Sequence, residues 1–202
     1  LREEDDAFTL DGEGFAVVER RSAVTDFQDE AQIRGTYYAE AEHLLKDVTG
    51  AGQVFIFDHT LRRRVPGRQD YGNGPCQPAT RVYVDHTAKS GPKRVRDLPP
   101  DEADELLKGR VQVINPWRPI NHRDYDAPFA VAEASSVRHE ELIPSDLVYP
   151  KSCGRNLQRR VQPRTSLALH QGTAAGRGNL DQVLRLTFGC RSLCPAYRVP
   201  GA

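Results

Sequence analysis

The sequence predicts an α+β domain with a basic appendage, and three observations lead there. Short segments rich in β-branched and aromatic residues outnumber the helical ones. The helical patterns gather towards the N-terminal half. Composition then breaks at Pro150-Lys151. Residues 151–202 carry nine Lys/Arg and one Asp, a net of +8, whereas residues 1–150 carry nineteen basic and twenty-seven acidic residues, a net of −8. The formal net charge of zero hides this asymmetry. Such a break marks a polyanion-binding tail or two segments of different origin. The expected division is therefore residues 1–150 as the main part of a domain and residues 151–202 as a basic, poorly structured tail.

The elements can be taken in chain order. Residues 12–18 read as a first strand, with Gly12 and Gly14 permitting a turn before it. From Asp29 to Val48 the period becomes helical: Ile33, Tyr37, Ala41, Leu44 and Leu45 fall at spacings of three and four, and Gly50 stands where a C-cap belongs. Tyr37 and Tyr38 are read as packing and surface residues. Gln53–Asp58 reads as a strand, followed by His59 and the run Arg62-Arg63-Arg64. Residues 65–80, with three Pro, three Gly and one Asn, form a loop.

Residues 81–87 alternate apolar and polar side chains and end in Asp85-His86-Thr87, a strand that delivers a carboxylate to a sheet edge. Lys89–Arg94 is expected as a basic turn, and Pro100–Gly109 as a compact helix with proline and acids at its start. Val111–Asn115 and Phe129–Glu133 read as strands, and Ser145–Pro150 ends the acidic segment. Beyond Lys151 only Leu180–Phe188 has the pattern of a regular element.

No run of about 18 apolar residues exists, so no membrane-spanning helix is expected. The acidic start lacks an apolar leader, which predicts a cytoplasmic protein. Absence of Met and a first residue of Leu1 predict that the natural start lies elsewhere. Cys76, Cys153, Cys190 and Cys194 form no CxxC pair, so reduced thiols are expected rather than a zinc site.

Four motifs in order carry a resemblance. They are Phe57-Asp58-His59-Thr60 with the arginines after it, Val84-Asp85-x-Thr87 with Lys89-Ser90-Gly91-Pro92, Leu107-Lys108-Gly109-Arg110-Val111-Gln112, and Ile114-Asn115-x-Trp117-Arg118-Pro119-Ile120. Together they make residues 10 to 150 resemble the fungal and bacterial hydroxylase/desaturase family that includes gibberellin desaturase-like and cephamycin methoxylation-like proteins. The resemblance implies an iron(II)/2-oxoglutarate oxygenase, a double-stranded β-helix (jelly-roll, cupin-like) core with flanking helices, and a small-molecule secondary metabolite as substrate. It also implies His-x-Asp as the first two iron ligands. Asp85 matches, but Tyr83 stands in the His position. His86 points to the opposite strand face. Arg118 is the candidate to bind the carboxylate of 2-oxoglutarate or substrate, with a structural ion pair as its alternative. His59 is a second candidate catalytic residue, with a hydrogen-bonded structural role as its alternative. Trp117 is expected in the core.

The family's C-terminal text, with its last iron-binding His, is missing after Pro150. Codons exist for Arg155–Pro163 that, advanced by one nucleotide, read Glu-Thr-Tyr-Ser-Val-Glu-Phe-Asn-Pro. Residues 164–167, Asn179–Leu186 and Pro195–Pro200 similarly permit Ala-His-Arg-Trp, Thr-Leu-Ile-Lys-Cys-Phe-Asp-Ser and Pro-His-Thr-Ala-Phe-Gln. A frameshifted tail is therefore expected, beginning near residues 151–154 and leaving the β-helix core incomplete. The expected function is an oxidoreductase of the hydroxylase/desaturase type, impaired as written. The alternatives are a non-catalytic remnant or binding module and, third, a basic arm that binds nucleic acid or another polyanion.

Overall fold

A computed structural model describes residues 8–67, 76–79, 83–120, 129–149, 152–159, 167–170 and 181–190. Its first strand, β1 (Phe15–Glu19), sets the layering. Successive strand side chains point to opposite faces. Ala16 and Val18 join Leu10, Leu44 and Leu45 on one face, and Phe15 and Val17 join Val131, Trp117 and Phe129 on the other. The strand is thus clamped between a helical layer and an aromatic interior, where the Trp117 and Phe129 rings stack at 4.6 Å. Trp117 is a core residue, as the sequence suggests.

The helical text folds in three pieces: α1 (Glu30–Gln32), a π-helical turn (Ile33–Tyr37) and α2 (Tyr38–Thr49). Asp29 caps the start by accepting the Ala31 N–H at 2.9 Å. Gly50 ends it at φ 68°, donating its N–H to the Lys46 carbonyl at 2.9 Å. Ile33, Ala41, Leu44 and Leu45 are buried along one stripe. The π turn, built around Gly35, is not legible in the hydrophobic period, which continues through it.

Three readings of the middle segment are corrected. Lys89–Arg94, expected as a turn, lies largely in helix α3 (Ser90–Asp97). Thr87 organises its start: its hydroxyl accepts from the Ser90 N–H at 3.0 Å and its carbonyl from Gly91 at 3.0 Å. Pro92 sits in the first turn, where its missing N–H costs little. Gln53–Asp58, expected as a strand, stays extended but forms no ladder with a described strand. Val54 packs on the core while Phe55 and Phe57 remain exposed, so the alternation is real but unpaired. The Pro100–Gly109 helix contracts to α4 (Ala103–Leu106).

The remaining strands are β2 (Tyr83–Val84), β3 (Val111–Trp117), β4 (Phe129–Ala132), β5 (Leu142–Tyr149), β6 (Ser152–Arg159), β7 (Leu167–His170) and β8 (Asp181–Cys190). They form antiparallel sheets in the orders β1-β8-β3, β2-β6-β5 and β4-β7. Pro116 is tolerated in β3 because that strand is at an edge of its sheet.

Beyond Lys151 the described residues form β6, β7 and β8, which pair with every other strand. Antiparallel ladders are made by backbone groups, so they accept text that matches no family motif. The text of β8 also alternates, with Leu184, Leu186 and Phe188 out of phase with Val183, Arg185 and Thr187. A register shift between Val113 and Ile114 marks a bulge where β3 meets β8. The strands flanking Pro150-Lys151 pair with each other, from Leu142 opposite Arg159 to Tyr149 opposite Ser152.

Candidate functional site

Asp85 follows β2 at a bend, where it is half-buried. Asn115 reaches it from β3 and donates Nδ2–H to Oδ2 at 2.7 Å. Asn115 shares its strand face with Trp117, the face turned towards the aromatic interior. Tyr83 and Asp85 each hold at least one further interaction. The neighbouring His86 presents its ring edge-on to Phe57 at 6.5 Å, and the Arg94 guanidinium lies 4.8 Å from the centre of the Phe57 ring. Burial pushes the His86 imidazole below its ordinary pKa, the Arg94 charge acts in the same direction, and the Asp85 charge opposes both.

Arg118, just past the end of β3, lies between two aromatic rings, 5.5 Å from the centre of Phe27 and 5.8 Å from that of Tyr37. Its Nε and Nη1 are sealed from solvent and make no hydrogen bond. Burial raises the pKa of the Tyr37 phenol, while the charge and hydrogen bond of Arg118 pull it back. A half-buried guanidinium with two sealed, unused nitrogens is costly unless something anionic or polar meets them.

His59 lies on the other side of the π turn. Its Nδ1 is 2.8 Å from the Tyr38 hydroxyl and its Nε2 is 3.1 Å from Glu30 Oε2. Arg34 pairs with the same Glu30 carboxylate at 2.5 Å and approaches the Tyr38 ring at 5.7 Å. The Arg34 hydrogen bond holds the Glu30 carboxyl below its ordinary pKa against the opposing effect of desolvation, and the charges of Arg34 and His59 add lesser pulls in the same direction.

Tyr37 and Tyr38 are adjacent, so the π turn links the Arg118 and His59 groups, and β3 links Arg118 to the Asn115–Asp85 pair. No signal in the sequence marked the part played by Asn115. Tyr37 had one: a tyrosine on the buried stripe of a helix must find a partner for its hydroxyl.

The fit to a ferrous centre is poor. Among the described residues no group of three or more His, Cys, Asp or Glu could hold a metal ion. Asp85 supplies one carboxylate, already bonded to Asn115, and Tyr83 supplies a phenol where an imidazole would suit iron(II) better.

This α+β strand arrangement is a fold shared with solved structures. Superposition on the iron and alpha-ketoglutarate-dependent endoperoxidase NvfI gives a TM-score of 0.79 at 22% identity, covering 93% of this chain and 69% of that one. The chain belongs to the oxidoreductase/YMDC permease-like domain family, whose model matches residues 1–173. It is 37% identical over 148 residues to Oxidoreductase AN1597 of Emericella nidulans, covering 71% of this chain and 50% of that protein. It is also 37% identical over 148 residues to Hydroxylase/desaturase CTB9 of Cercospora beticola, covering 67% and 45%. Alpha-ketoglutarate-dependent dioxygenase phiK of a fungal species is 33% identical over 139 residues, covering 67% and 50%. The chain thus spans about half the length of the curated relatives it matches. Among the described residues no helix is long and apolar enough to cross a membrane.

Proposed function

We propose that this chain is an oxidoreductase of the hydroxylase/desaturase type, built on an incomplete double-stranded β-helix and impaired in its iron chemistry. Its ancestral substrates are small secondary metabolites, its ancestral cofactors are iron(II) and 2-oxoglutarate, and its setting is the cytoplasm. The observation that carries this reading is Arg118, a half-buried cation with two sealed, unused nitrogens beside Phe27 and Tyr37. Such a group suits the carboxylate of a small acid, and the relatives include proteins named for their dependence on alpha-ketoglutarate. Asp85 is the remaining position of the iron-binding motif, and Tyr83 is where it fails. His59 is assigned an orienting role through Tyr38 and Glu30 rather than direct chemistry.

In this reading the change at Pro150-Lys151 is one of reading frame, not of fold. The transcript across codons 145–202 tests it: an open shifted frame encoding Pro-His-Thr-Ala-Phe is expected.

Activity is tested by incubating the protein with 2-oxoglutarate and iron(II). No succinate is expected, and iron-dependent succinate would overturn the impairment. Binding is tested separately through the fluorescence of Trp117, the only tryptophan and the neighbour of Arg118. A saturable change with 2-oxoglutarate, lost in Arg118→Met, is expected. That result without turnover favours the second reading, a non-catalytic binding module. Salt-sensitive retention of the whole chain on nucleic acid, with no response to 2-oxoglutarate, would favour the basic arm instead.

A further inference from the structure

We infer that Asp85 serves in this chain as a part-buried tie between two sheets, with Asn115 as its partner, and not as a metal ligand. This role goes beyond the proposed function and does not depend on the carboxylate site at Arg118.

Strand β2 is only two residues long and pairs with β6 through Tyr83 and Val84 alone. So short a strand is weakly held by its own ladder. Asp85 comes directly after it, and its carboxylate receives the Asn115 side-chain N–H at 2.7 Å. That length is at the short end for a nitrogen donor on a carboxylate, where charge strengthens the bond. Asn115 stands on β3, opposite Arg185 of β8 and so in the β1-β8-β3 sheet. Asp85 stands at the bend directly after β2, at the edge of the β2-β6-β5 sheet. The bond therefore joins two sheets that share no strand.

The same bond positions helix α3. Two residues beyond Asp85, Thr87 accepts the N–H groups that begin this helix, and the Thr87 N–H meets the Ser90 hydroxyl at 2.7 Å. Holding Asp85 thus places the start of a helix as well as the end of a strand.

A ligand and a tie behave oppositely when the carboxylate is removed from metal-free protein. Ligand clusters are held against their own repulsion and desolvation, so losing one member leaves stability unchanged or raises it. Losing a tie strands a part-buried donor, and stability falls.

The experiment is thermal unfolding of the full chain in EDTA for wild type, Asp85→Ala, Asn115→Ala and the double variant. Each single variant is expected to lower the midpoint by about 5 °C, and the double variant by little more than one of them, because both remove the same bond. Single variants that leave the midpoint unchanged or raise it would overturn the inference, as would additive losses. Should Asp85→Ala not fold, Asp85→Asn decides: a neutral acceptor weakens the bond, so a smaller drop is expected, and an unchanged midpoint would overturn it. A midpoint that iron(II) raises in wild type but not in an Asp85 variant would make Asp85 a ligand and overturn it too. Loss of the Trp117 response to 2-oxoglutarate would defeat only the carboxylate site.

Discussion

The Tyr38 hydroxyl lies 2.8 Å from His59 Nδ1, and the far nitrogen of the same ring lies 3.1 Å from the Glu30 carboxylate. An ionised carboxylate only accepts, so the Glu30 contact places the proton on Nε2 and leaves Nδ1 to accept the tyrosine O–H. One ring therefore fastens the extended segment after Asp58 to both sides of the π turn. Tyr38→Phe is expected to cost about 1 kcal/mol of stability. His59→Ala is expected to cost at least as much, and the pair to be non-additive. Urea unfolding of the two single variants and the double variant checks this.

His86 makes the protein acid-sensitive. Its folded pKa lies below the ordinary value of 6.5 because of burial and the Arg94 charge, so the unfolded chain binds a proton more readily. Stability is unaffected well above pH 6.5, falls as pH drops through that value, and stops falling on this account below the depressed folded pKa. His86→Gln should flatten that part of the curve. A wild-type midpoint that does not decline between about pH 7 and about pH 5 relative to the variant would contradict the assignment.

Arg118 should be a stability liability. Replacing it together with its hydroxyl partner, as Arg118→Met with Tyr37→Phe, removes a half-buried charge and leaves no stranded group. The double variant is expected to match or exceed wild type by about 1 kcal/mol. Arg118→Met alone should do less well, since it deprives the buried Tyr37 hydroxyl of its partner. Calorimetric midpoints distinguish the two.

At Gly50 the cost is purely conformational. Its φ of 68° suits glycine, and a Cβ there would meet nothing within 4 Å. Gly50→Ala should therefore destabilise by about 1 kcal/mol, read by thermal unfolding, with no effect on ligand response.

Much of the fold was legible because local rules governed it. Asp29, the stripe from Ile33 to Leu45 and Gly50 define a helix by capping and period, and tertiary packing agreed. The strands at Val111 and Phe129 were marked by β-branched and aromatic residues. Where a partner decides, the sequence was silent. Gln53–Asp58 alternates like a strand yet has no ladder with a described strand, and β6 was unreadable because its pairing comes from β2 and β5. The candidate site divides the same way. Asp85, Arg118 and His59 were nameable as residue types, but the bonds to Asn115, Tyr37 and Tyr38 come from elements distant in the chain.

The order β1-β8-β3 has a kinetic meaning. Within this chain Phe15–Glu19 can find its ladder only after Asp181–Cys190 has been synthesised. Until then β1 and β3 are two unpaired edges with an aromatic face between them, and loop closure over most of the chain must precede their reward. Closure of this sheet is therefore expected late in folding, with β1 and β3 as the edges that wait for β8.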